Sequence, residues 1–415
     1  MTQKGEIPEP VRRLIDRGVE IPCPQAVEID AEINPERIAP GVVIHAGSRL
    51  RGKSTSVGPG SVIGGETPAT VQDCQLGYDV ELKGGFFSGA TFLDGSSMGS
   101  GAHVRSGTLM EEEASGAHTV GFKQTILLPF VTAGSLINFC DALMAGGTSR
   151  KHHSEIGSSY IHFNFTPRGD KATASLVGDV PRGVMLREPP IFLGGQGGLV
   201  GPARVGYGVL APAGAIMRRD ALEENHLHPG SNSSLEGPPR PYDMTRHQSI
   251  HRVVRNNLIY IGNIRALREW YDEVRPRFMC GDAYRKACWE GALLRLDEIL
   301  TERVKRLGQL AEKVSASLDQ AVNRHGADPD MEPFRGQREF CDRIPRMEAH
   351  VRGDAKGAAP EERNRFLHIW AETDASEGYV RAIQSLDDEA REAGTAWLQA
   401  VVDMTVSVWQ SDRPG

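Results

Sequence analysis

Three histidines fall within eleven residues of one another, His152, His153 and His162, and the first two directly follow Arg150 and Lys151. Imidazole titrates near neutrality, so any one of them is suited to strip a proton from an attacking nucleophile. Arg150, Lys151, Arg168 and Lys171 occupy the same stretch. Guanidinium and ammonium groups hold phosphate or carboxylate, so the stretch suits an anionic substrate. A plainer reading stays open for each residue: a loop histidine without a task, and a charge pair that only solvates a face. No metal is expected. His152 and His153 are adjacent and so point apart, and no histidine pair four residues apart occurs between residues 38 and 217. The six cysteines (Cys23, Cys74, Cys140, Cys280, Cys288, Cys341) show no CxxC spacing and read as reduced thiols of a cytoplasmic protein.

The elements that must position these side chains are legible as a repeat. Leu193, Leu199, Val205, Ala211 and Met217 keep a six-residue register, with Gly197, Ala203, Val209 and Ala215 in the fifth place of each hexad. Ile38, Ile44 and Leu50 keep the same register, with Val42, Ser48 and Ser54 as the small or fifth residues. A strand alternates with period two, so a period of six with small fifth residues needs short strands that turn at each corner of a triangular prism. The pattern persists with slips through Leu76 and Leu82, Met98 and Val104, Val120 and Ile126, Val131 and Ile137. The predicted fold is therefore a mainly β solenoid, a left-handed parallel β-helix over residues 38–240, after an N-terminal segment 1–37. Residues 146–190 are polar, basic and proline-containing, and are expected to form a loop insertion that carries the chemistry.

Beyond residue 240 the period becomes helical, so residues 241–415 are expected to form an α-helical domain. Val254, Leu258, Ile261, Leu267, Tyr271 and Val274 share one stripe, and Leu293 through Val322 mark a long amphipathic helix. Residues 324–360 read as loop with a short helix. One last helix is predicted over 374–409, with Asp374 as N-cap, Glu377 in the capping-box place, and Trp397, Leu398, Val401, Val402, Met404 and Val408 as core. This domain is expected to close the open end of the solenoid or to pack on a neighbouring subunit.

At 415 residues the chain suits two domains. A net charge of −7, with Lys and Arg spread along the chain, argues against a nucleic-acid partner. No apolar run approaches membrane-spanning length and the N-terminus lacks a signal-peptide core, so no membrane association is expected.

The segment HFNFTPRGDKATASLVGD, followed by IFLGGQGGLVGPARVGYGVLAPAG, resembles the acetyltransferase half of the bacterial bifunctional uridylyltransferase/glucosamine-1-phosphate acetyltransferases, which make UDP-N-acetylglucosamine. The matching elements are Asn164-Phe165, Lys171, Val177-Gly178-Asp179, and the hexads from Leu193 to Gly214. The resemblance implies an acyl-CoA-dependent transferase, with acetyl-CoA or another acyl-CoA as co-substrate. It also implies a homotrimer with the site between subunits, acting on an amino sugar, sugar phosphate or nucleotide sugar. It places Asn164 near the acceptor, Lys171 against a phosphate or carboxylate, and Gly195 beside the thioester, with Gly197 and Gly198 letting the pantetheine lie close to the backbone. One of His152, His153 or His162 would serve as base, and backbone N–H groups of the Gly-rich coil would hold the oxyanion.

Departures accompany the match. The family's general-base histidine precedes a Glu-Ile-Gly by eight residues, and the same count back from Glu155-Ile156-Gly157 reaches Gly147. The chain is one hexad shorter between that Glu-Ile-Gly and the Asn, and Phe165 stands for the family's tyrosine. No Gly-rich nucleotide loop precedes residue 38, so nucleotidyltransferase activity is not expected. The competing expectation is a non-catalytic sugar-nucleotide-binding or scaffolding protein that keeps the β-helix without the base.

Overall fold

The structure is a computed structural model, and it describes residues 6–230, 247, 249–325, 331, 334–353, 355 and 357–410. The apolar places of the hexads point into a prism built of parallel strands. On its first face nine strands stack, so that Ile44, Ile63, Leu82, Met98, Gly116, Ala133, Ile156, Leu193 and Ala211 form one inward column. The second face runs from Glu28–Ile29 through Arg49–Arg51 to Ile216–Met217, and the third from Ser56–Val57 through Ala90–Phe92 to Arg204–Val205. Strands Gly121–Leu127 and Asn138–Met144 bend round the corner between the second and third faces, with Gln124 and Asp141 at positive φ, and so join these two faces into one sheet.

The prism begins earlier than residue 38. Helix α1 (Glu9–Asp16) buries Val11 and Leu14 against the first coil. Glu20 bridges Val43, and Glu28–Ile29 pairs with Arg49–Leu50. A short α2 (Val180–Gly183) interrupts the coils and takes its N-cap from the Asp179 carboxylate. At the far end Ala221 and Leu227 still bridge onto Val205 and Leu210. The boundary expected at 240/241 lies outside the described residues.

The helical region comprises α3 (Ile250–Glu273), α4 (Pro276–Met279), α5 (Ala283–His325), α6 (Phe334–Arg352), α7 (Pro360–Glu372), α8 (Tyr379–Ser385) and α9 (Asp388–Gln410). Two expectations need correction. The region 324–360 holds the 19-residue α6, because Phe340, Met347 and Val351 recur on one buried face despite Gly336 and Pro345. The single helix expected over 374–409 is two helices. Leu386 is extended, and the Asp387 carboxylate accepts from the Ala390 N–H (2.8 Å), so α9 has its own start. Asp374 caps only its own turn, through Ser376 N (2.9 Å). Among the described residues no helix is long and apolar enough to cross a membrane.

Among the described residues this region does not lie across an end of the prism. It lies along the third face, with α5 crossing Ser56–Val57, Gln75–Leu76, Ala90–Phe92 and Thr108–Met110, and α3 packed on Ser175–Val177. Close approach needs a glycine: a Cβ on Gly291 of α5 would fall 2.3 Å from Gln75 Oε1 and 2.7 Å from Thr91 Oγ1. Arginines then tie the helices to the corners. Arg285 meets Asp94 (2.9 Å), Arg295 donates to Gly89 O (2.5 Å), and Arg303 meets Asp141 (2.6 Å). Arg275, fully buried, pairs with Glu111 (3.1 Å) and Glu112 (2.5 Å) and lies 3.6 Å from the Tyr379 ring centroid.

Candidate functional site

The stretch 146–190 is not one loop. Strands Glu155–Ile156, Ile161–Phe163 and Ser175–Val177 continue the prism through it, and three excursions leave at corners. Residues 145–153 and 178–190 leave between the third and first faces, in successive coils. Residues 164–174 leave between the second and third faces.

The first excursion is an antiparallel hairpin in which Gly147 pairs with His153 and Ser149 with His152. Its tip carries Arg150 and Lys151. The Arg150 guanidinium reaches across to the coil of residues 111–115, donating to Glu113 O (2.6 Å) and Ser115 Oγ (3.1 Å). His153 Nδ1 lies 2.8 Å from Arg150 O. A carbonyl only accepts, so Nδ1 carries a proton, and Nε2 lies 3.9 Å from a Glu155 carboxylate oxygen. His152 is exposed, with Nδ1 3.2 Å from Thr148 Oγ1. The hairpin thus leaves His152 exposed and His153 half-buried.

Gly147 is explained by this hairpin. Its φ is +98°, and a Cβ there would fall 2.6 Å from His153 Cα and 2.8 Å from His152 O. No histidine fits the position to which the family's spacing points. A side chain there would break the hairpin that presents two others.

His162 is corrected. It is 2% exposed, its Nδ1 donates to Cys140 O (2.5 Å), and its Nε2 accepts from Ser175 Oγ (2.7 Å), which in turn accepts from Ala203 N (3.0 Å). It occupies the inward place that Leu199 takes in the next coil. Such a group is a satisfied core residue and not a base for an external nucleophile. The signal was present in the sequence, since His162 stands six residues after the inward Ile156. Burial lowers its pKa below the ordinary 6.5. The unfolded chain therefore binds this proton more readily, so the stability from a neutral His162 is whole above about pH 6.5 and is lost as pH falls below it. Unfolding midpoints measured from pH 7.5 down to 5 should fall less steeply in His162→Asn than in the wild type; equal slopes would count against this.

Asn164 and the cations beyond it sit at a different corner. The Asn164 amide donates to Asp141 Oδ2 (2.5 Å), whose other oxygen holds Arg303. Lys171 is exposed, 6.0 Å from the Phe165 ring centroid, and Arg168 gives its carbonyl to Lys313 (3.3 Å). Asp141 and Arg303, which no motif in the sequence marks, anchor this loop to α5.

The glycines sit at the third corner, between the first and second faces. A Cβ on Gly195 would lie 2.8 Å from Ser158 O, and one on Gly197 would lie 2.7 Å from Gly194 O and 2.8 Å from Ala215 O. On Gly198 it would meet Phe163 Cε2 at 2.5 Å. Coil stacking against backbone therefore demands Gly195 and Gly197, while Gly198 makes room for the Phe163 ring. Within one chain the hairpin, the Asn164–Lys171 loop and the glycine corner occupy three different edges of the prism, one coil apart along it.

A cavity of about 230 Å³ lies between the coil corners at Asp94 and Glu112–Glu113 and the helices, and no residue of the hairpin lines it. Asp94, Glu112, Glu113 and Glu377 line it with Arg285, Phe278 and Tyr379. Burial raises the Asp94 carboxyl above its ordinary value, against the pull of Arg285. Among the described residues no group of three or more His, Cys, Asp or Glu is placed to hold a metal ion.

No protein-family model matches the chain. Curated proteins do. It is 25% identical over 210 residues to the bifunctional protein GlmU of Thermotoga sp. (strain RQ2), covering 51% of this chain and 42% of that one. Identity to GlmU of Kineococcus radiotolerans is 28% over 210 residues (51% and 38%), and to GlmU of Nitratidesulfovibrio vulgaris (strain DP4) 27% over 228 residues (54% and 45%). The chain thus spans about two fifths of the length of these relatives. Together with the stacked parallel coils, this similarity fits a left-handed β-helix domain of the GlmU kind, extended here by a helical region laid along one face of the prism.

Proposed function

We propose that the protein is an acyl-CoA-dependent acyltransferase, with acetyl as the acyl group, acting on an amino sugar, sugar phosphate or nucleotide sugar in UDP-N-acetylglucosamine-type metabolism. The observation that carries the reading is the hairpin on a GlmU-like solenoid, which holds His153 by Nδ1 on Arg150 O and sets its Nε2 3.9 Å from the Glu155 carboxylate, beside the exposed His152. In the reaction this imidazole, or that of His152, takes the proton from the acceptor amine as the nitrogen bonds to the thioester carbon. The C–S bond then breaks, and the CoA thiolate takes that proton back from the imidazolium and leaves as the thiol. Lys151, exposed at the tip beside the histidines, suits the anionic end of an acceptor, and Arg168 and Lys171, at another edge of the prism, serve it from a neighbouring copy.

A homotrimer supports this chemistry, because the three elements occupy separate edges of one prism. The third face is covered by the chain's own helices, which leaves the first and second faces for neighbouring copies. Leu136, Ile161, Phe163, Phe192 and Leu210 are exposed there, an apolar surface of the kind subunits cover.

The test is acetyl-CoA turnover with glucosamine-1-phosphate and related amino sugars, in the wild type and in His152→Ala/His153→Ala. A positioned base contributes roughly 10²–10⁴-fold, so kcat should fall by that factor. Absence of turnover together with tight binding of UDP-N-acetylglucosamine would instead establish the non-catalytic, sugar-nucleotide-binding reading.

A further inference from the structure

The hairpin that presents His152 and His153 has only two pairs of opposed residues, and a ribbon that short is marginal by itself. Its place is fixed by contacts from outside. Gly147 N donates to Glu188 O (3.1 Å) in the following coil, and Arg150 reaches the preceding one. A third contact comes from the helical region. Gln384, near the end of α8, donates from Nε2 to Thr148 O (2.7 Å). The amide orientation is forced, since a carbonyl partner cannot donate. The backbone carbonyl of Gln384 is itself taken by the Arg187 guanidinium, from the excursion above the hairpin. Thr148 then faces His152 through its own hydroxyl, 3.2 Å from Nδ1.

We infer that Gln384 is a positioning residue for the histidine hairpin, so that the helical region sets the geometry of the solenoid's base. The catalytic meaning of this rests on the acyltransferase reading; the clamp itself does not. The path continues inward. Tyr379, the first residue of α8, accepts from Trp270 Nε1 (2.9 Å) and packs on Arg275, which is paired to Glu111 and Glu112 of the solenoid. The position of α8, and with it Gln384, is thereby referenced to the same prism that carries the hairpin. A solenoid without this helical face would leave Thr148 O to water and the histidines on a loose ribbon.

The experiment uses the full chain with Gln384→Ala and, as the conservative change that keeps size but removes the donor, Gln384→Glu. Arg150 and Lys151 at the hairpin tip are trypsin sites, so native-state cleavage there reports how often the hairpin opens. Loss of one hydrogen bond should raise that cleavage, and amide exchange across residues 147–153, by roughly three- to tenfold in both variants. The thermal midpoint should hold, because Gln384 is half-exposed at a helix end. If acetyl transfer is measurable, kcat should fall while KM for acetyl-CoA stays at the wild-type value. Unchanged cleavage and exchange would overturn the clamp, even in an active enzyme. A wild type with no transfer but with the expected rise in cleavage would leave the clamp standing and remove the acyltransferase reading. A fall in kcat matched by a general loss of stability would overturn the positioning role.

Discussion

Replacing Arg275 with alanine is expected to lower the free energy of unfolding by about 3–5 kcal/mol, the cost of breaking a buried ion pair from one side. Arg275 has no exposed surface and joins α4 to the solenoid corner through Glu111 and Glu112. Glu111 is 1% exposed, and burial already holds its carboxyl above the usual range. Without the guanidinium it keeps only the Tyr271 hydroxyl (2.7 Å), and must either remain an unpaired charge or take up a proton. The double variant Arg275→Ala/Glu111→Gln should therefore lose less than the sum of its parts. Urea unfolding of the single and double variants measures this. A single variant within 1 kcal/mol of the wild type would show that packing, not this pair, holds the helices to the prism.

Gly147→His, the change that restores the family's histidine at its expected count, should impair the protein rather than equip it. A side chain at φ +98° costs about 1–3 kcal/mol, and here its Cβ also meets backbone atoms of His152 and His153 that cannot step aside singly. The hairpin must open to admit it. Tryptic cleavage at Arg150 and Lys151 should rise well beyond the effect of the Gln384 variants, and acetyl transfer should fall rather than rise. A Gly147→His protein with an intact, protected hairpin and higher turnover would overturn the assignment of the base to the hairpin. Gly147→Ala separates the strain from the imidazole and should share most of the defect.

The hexad register at Leu193–Met217 and Ile38–Leu50 is readable because each coil contacts the next, a short and regular distance along the chain. Burial then follows by counting: Ile44, Leu50, Leu199 and Val209 are inside. The same count extended from Ile156 places His162 inside as well, so its exclusion as a base was available without coordinates. The helices were visible as stripes, yet the break at Leu386 was not. Asp387 and Asp388 read as helix-starting and surface residues alike, and only packing chose between them.

The sequence by itself determined the prism, the helical second half, and the polar stretch 146–190 as the place to look for chemistry. Only the tertiary structure decided how that stretch is divided among corners. Residues close in sequence are separated when a strand lies between them. Thus His153 and Asn164, eleven positions apart, leave the prism at different edges, while Thr148 and Gln384, far apart in the chain, share a hydrogen bond. Hexad periodicity encodes which side chains point inward, because that depends on nearest-neighbour coils. It carries no record of which distant helix covers a face, because that depends on complementary corners such as Asp94, Glu112 and Asp141 meeting arginines from elsewhere in the chain.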